Sequence, residues 1–144
     1  MMLKVPEINR KLKQINVDPS KENIFVLGAT GSGKSTLICY LNGAKMGWEK
    51  IKKRYHHNIK SKGNFPAIGN KFNSCTDFPE GYGKYIDSAG FLDSKGPAHE
   101  IINSYATAKL FKRGSKAKIV VVVEWANLQS SKGKTLVDVA NRLH

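Results

Sequence analysis

Cysteine is scarce in this chain. Cys39 and Cys75 are its only two, far apart and without metal-ligand spacing. That excludes a disulfide-stapled fold or a cysteine zinc site, and reduced thiols suit a cytoplasmic protein. Long hydrophobic runs are missing too. The longest purely aliphatic stretch, residues 119–123, suits a buried strand and is far too short to span a membrane. The N-terminus is charged and lacks the apolar segment of a signal peptide. Acidic residues are few, 11 against 24 Lys and Arg, for a net charge of +13. Repeats and low-complexity tracts are absent. What is present is 144 residues with 40% hydrophobic content, enough for one folded domain with a real core.

The sharpest feature is the run Gly28, Ala29, Thr30, Gly31, Ser32, Gly33, Lys34, Ser35, followed by Thr36. It matches G-x-x-x-x-G-K-[ST]. In such a loop the glycines let main-chain N–H groups surround phosphates, the lysine reaches the β- and γ-phosphates, and the serine hydroxyl ligates Mg²⁺. The context fits. Residues 23–27 are apolar and rich in strand formers. Leu37, Ile38 and Leu41 then follow at helical spacing, with Gly43 as a stop. Strand, glycine-rich loop and helix is the setting the motif needs. The alternative is a plain Gly/Ser turn between two core elements. Gly133, Lys134 and Thr135 look similar, but Leu128 stands where the first glycine belongs, so they read as a loop and helix start.

Residues 1–22 are polar and lysine-rich, with a short helix expected over 9–15 and a turn at 17–20; they read as a basic leader or linker. The nucleotide-binding domain is expected over 23–144. Residues 65–67 and 72–75 are weak strand candidates, and 77–83, with Pro79, Gly81 and Gly83, reads as a turn. A short strand then enters Asp87. Pro97 opens a helix whose apolar face is expected at Ala98, Ile101, Ile102, Tyr105, Ala108 and Phe111. Residues 118–123 form the strongest strand, expected to be buried on both faces, and a last helix is expected over 134–143. Strands alternating with helices predict an α/β fold, a three-layer sandwich with a mostly parallel sheet flanked by helices.

Residues 45–62 carry seven basic side chains against Glu49, a local balance of +6, with Trp48, Tyr55, His56 and His57 interleaved. The reading favoured by the sequence is a solvated loop that aids solubility and counters bound phosphate charge. The other reading is a patch for nucleic acid or acidic membrane headgroups. His56 and His57, adjacent and without a third ligand, read as an exposed loop pair rather than a metal site.

A second constellation is Asp87, Ser88, Ala89 and Gly90, at the expected strand end about fifty residues beyond the loop. An aspartate there can hold Mg²⁺ through a water, and the Gly90 N–H can reach the γ-phosphate. Together with residues 28–35, the stretch Tyr85, Ile86, Asp87, Ser88, Ala89, Gly90, Phe91, Leu92, Asp93 resembles the G domains of septin-like and immunity-associated (GIMAP-type) GTPases. Their second motif usually reads Asp-Thr-Pro-Gly-Phe. Ser88 and Ala89 depart from it, while Asp87 and Gly90 match. The likeness covers 23 to about 143 and is carried by these two motifs. It implies a P-loop GTPase fold, Mg²⁺ and GTP as ligands, and residues 88–96 as a segment remodelled when the γ-phosphate is lost. It also implies a threonine closing over the metal, for which Thr76 is the candidate by position. A homodimer or a regulatory protein partner fits the same likeness.

Two departures bear on activity. The guanine-reading Asn/Thr-Lys-x-Asp motif does not occur before His144, and Glu124, Trp125, Ala126 and Asn127 do not match it. Either the chain is a fragment or its base recognition differs. Phe91 stands where Ras-like proteins place a water-positioning glutamine, which implies slow or partner-dependent hydrolysis. The competing readings are a P-loop ATPase or small-molecule kinase using ATP, and a polyanion-binding module built on 45–62.

Overall fold

The computed structural model describes residues 5–51, 54–60, 62–68, 78–89, 96–114 and 116–130, with 137, 140 and 141 besides. The strand expected over 72–75 and the residues Thr76, Gly90 and Phe91 lie outside these. So does most of the helix expected over 134–143.

Ten elements run in order: α1 Val5–Gln14, β1 Glu22–Gly28, α2 Lys34–Leu41, β2 Met46–Ile51, β3 Arg54–Ile59, β4 Glu80–Tyr82, β5 Tyr85–Asp87, α3 Pro97–Phe111, β6 Lys116–Val122 and α4 Trp125–Ser130. Four strands form one sheet in the order β4-β5-β1-β6. β1 is parallel to β5 and to β6, and β4 is antiparallel to β5. The protein is therefore α/β with a mixed, mostly parallel sheet. From β1 the chain reaches β5 on one side; from β5 it crosses through α3 to β6 on the other. The strand order reverses at β1, and in open α/β sheets a crevice opens outside the carboxyl end of that strand.

Alternation along β1 divides the core. Phe25 and Leu27 face α1 and α3, packing with Ile8, Leu12, Ile86, Ile102, Ala106 and Leu110. Val26 faces the other way, toward Ile38 of α2 and Tyr82 and Tyr85 of the β4–β5 hairpin. Phe25 also stacks on Phe111, ring centroids 3.9 Å apart. The sheet thus has α1 and α3 on one face and α2 on the other.

Several expectations are corrected. The supposed leader holds α1, whose Ile8 and Leu12 are core residues. The basic stretch 45–62 holds an antiparallel ribbon, β2 paired with β3, in place of a loop, and His56 and His57 lie within it. Residues 77–83 include β4, because Gly83 and Lys84 make a two-residue hairpin turn between Tyr82 and Tyr85. Residues 65–67 are not a strand. Helix α3 spans the expected residues but buries Ile102, Asn103, Ala106 and Leu110, leaving Ile101 and Tyr105 exposed. β6 is not buried on both faces: Ile119, Val120 and Val121 are 37–45% exposed, because β6 ends the sheet and pairs only with β1 among the described residues. No helix among the described residues is long and apolar enough to cross a membrane.

Candidate functional site

The carboxyl end of β1 runs into residues 28–33, which turn the chain into α2. Gly28, at φ 154°, lies so close to β6 that a Cβ there would stand 2.3 Å from the Val122 carbonyl oxygen. Only glycine fits that approach. Gly33, at φ 94°, is the N-cap of α2, and no side chain caps the helix there. The first N–H groups of α2 therefore face outward at the positive end of the helix dipole, an arrangement suited to anions. At its far end α2 closes with Gly43 N–H donating to the Tyr40 carbonyl (3.0 Å) and Ala44 N–H to that of Cys39 (2.9 Å), a Schellman stop.

Lys34 is buried to 6% exposure. Its ammonium donates to the carbonyl oxygens of Ala29 (2.9 Å) and Gly28 (3.2 Å), holding the cation across the mouth of the loop. A buried ammonium needs such partners, since its desolvation is costly. The same main chain leaves the Thr30 and Ser32 hydroxyls buried without a hydrogen-bond partner among the described residues. Buried hydroxyls are normally satisfied, so the loop has donor capacity to offer a ligand.

Asp87 enters from β5. In register it lies beside Val26, and β1 alternation turns both toward α2. The Asp87 carboxyl is 1% exposed and accepts a 2.6 Å hydrogen bond from Ser35 Oγ in the first turn of α2. Two motifs 52 positions apart thus meet at a hydroxyl and a carboxylate. Those are hard oxygen donors, and a Mg²⁺ site commonly takes only one or two protein oxygens with waters and phosphates completing it. Ser35 and Asp87 fit that donor set. No group of three or more His, Cys, Asp or Glu residues fit to hold a metal occurs among the described residues.

The sequence reading missed two supporting hydrogen bonds. Ser88, a departure from the G-domain pattern, is buried; its hydroxyl donates to the Val26 carbonyl at 2.7 Å and pins the exit of β5 against β1. Cys39, in the middle of α2, donates through Sγ to the Pro66 carbonyl at 3.4 Å. Burial pushes its thiol up from the usual value, and the nearby Asp87 charge adds to the shift. Of the expected site residues, 28–36 and Asp87 are brought together; Thr76 and Gly90 lie outside the described residues.

No protein-family model, curated protein or solved structure matches this chain.

Proposed function

We propose that this chain is a nucleoside-triphosphate-binding switch of the P-loop class that takes Mg²⁺ and senses the γ-phosphate. The observation that carries this reading is the 2.6 Å contact between Ser35 and Asp87 beside the buried Lys34. Residues 28–36 surround the phosphates with main-chain N–H groups. Lys34 exchanges the Gly28 and Ala29 carbonyls for β- and γ-phosphate oxygens. Ser35 and Asp87, with Thr76, hold the metal, and Gly90 reads the γ-phosphate. A metal held by Ser35 and Asp87 would supply charge neutralisation for the phosphates. GTP as the base rests on the resemblance to G domains. With Phe91 in the water-positioning place, hydrolysis by this chain is slow or partner-dependent.

The test is titration with a fluorescent guanine nucleotide in Mg²⁺, with unlabelled GTP and ATP as competitors. Lys34→Ala is expected to abolish triphosphate binding while far-UV circular dichroism stays unchanged. Unchanged affinity in that variant sinks the reading. Equal displacement by ATP removes guanine selectivity and leaves the triphosphate site standing.

A further inference from the structure

The ribbon of β2 and β3 belongs to no part of that site. It forms a two-stranded sheet of its own, in register from Met46 opposite Ile59 to Ile51 opposite Arg54. The Lys60 N–H donates to the Lys45 carbonyl at 2.7 Å and closes its base. Trp48 sits mid-strand at 63% exposure, opposite His57, and the next pair on that face is Lys50 opposite Tyr55. Strand alternation sends Glu49, the only acid of residues 45–62, to the other face, where its carboxylate accepts from Asn58. The register positions on the face of Trp48 therefore hold Met46, Ile59, His57, Lys50 and Tyr55, aromatics beside one lysine with no acid among them.

We propose that this face of the ribbon binds single-stranded nucleic acid, with Trp48 as the stacking platform for an unpaired base and Lys50 beside it as a phosphate contact. The charge is complementary, +6 over residues 45–62. Aromatic side chains set among cations are how sequence-tolerant single-strand binders work. A ribbon can also enter a duplex major groove, but base edges there are read by polar side chains and leave an indole face without a stacking partner. A membrane-inserting hairpin needs an apolar tip. Here the strands are joined through Lys52 and Lys53. The proposal is independent of the phosphate loop.

The experiment measures fluorescence anisotropy of labelled oligo-dT and oligo-U of about twelve nucleotides against the full chain over a salt series. Binding is expected to fall linearly in log–log salt. Trp48→Ala should weaken it about ten-fold, and Trp48→Phe should restore most of the loss. Because Trp48→Ala can disturb the ribbon itself, a second readout uses Trp125→Phe, which leaves Trp48 as the only indole; oligonucleotide should then quench its emission. The proposal is overturned if Trp48→Ala binds like the parent chain, or if binding leaves Trp48 emission unchanged. A duplex of equal length that competes as well as the single strand overturns it too. So do phosphatidylserine vesicles that outcompete the oligonucleotide.

Discussion

Gly28 does two things at one position. It ends β1 against β6, and it opens the loop that holds Lys34. A Cβ there would meet the Val122 carbonyl oxygen at 2.3 Å and Ser32 Oγ at 2.8 Å. Gly31, at φ 82°, has open space around the same position. Gly28→Ala must therefore push two main chains apart, at a cost of about 1–3 kcal/mol on top of its backbone strain. Gly31→Ala bears only the left-handed strain, about 1 kcal/mol. Urea unfolding of the two variants should rank them in that order; equal midpoints would contradict the close approach. At this scale the sequence was informative where a motif fixes both residue and conformation, as at Gly28, Lys34, Ser35 and Asp87. It was silent on Ser88, because nothing in the local string says that its hydroxyl will meet Val26 across a parallel strand pair.

Elements were legible when the motif or a cap bounded them, and illegible when only burial could. β1, α2, β5 and α3 fall where the loop, the aspartate and Pro97 put them. The ribbon escaped because its strands alternate around solvent and carry no apolar period, and because no Asn-Gly or Asp-Gly turn joins them. The phase of α3 was misjudged because apolar residues occur on most sides of that helix, so a 3.6-residue period does not select one. β6 shows the same limit: an aliphatic run marks a strand but not its place in the sheet. Its start is tied to β1 by Lys118, whose ammonium lies 2.7 Å from the Glu22 carboxylate. The hydrogen bond from Lys118 first, and then the charges of Lys118, Lys84 and Lys116, hold the Glu22 carboxyl below its ordinary value. A depressed carboxylate stabilises the fold above the ordinary Glu value of 4.5, and that contribution disappears as pH falls through the lower folded value. Glu22→Gln should therefore melt slightly below the parent chain at pH 7 and together with it at pH 2. Thermal melts across that range check the sign; a gap that widens in acid would refute the assignment.

For the molecule as a whole, the decisive question is what covers the face of the sheet opposite α2. Phe25, Leu27 and Ile86 all point there, and α3 alone does not complete the cover: Ile8 and Leu12 of α1 share the cluster with them. Arg113, just beyond α3, donates to the Leu12 carbonyl, and the Lys11 ammonium lies 5.6 Å from the centroid of the Phe78 ring. α1 is thus fastened at both its partners, and Lys11 and Lys13, two of the lysines that made residues 1–22 look like a linker, are on the exposed side of this helix. Leu12 is 0% exposed and Val5 is 57% exposed on the same helix. If α1 is part of the core, Leu12→Ala leaves a cavity under the sheet and costs about 2–5 kcal/mol. In a chain of this size that lowers the melting temperature by roughly 10 °C. Val5→Ala, at the exposed end, should change stability by less than about 0.5 kcal/mol. Calorimetry on the two variants separates the possibilities, because a detached leader would leave both melting with the parent chain, whereas a packed helix makes Leu12 costly and Val5 neutral.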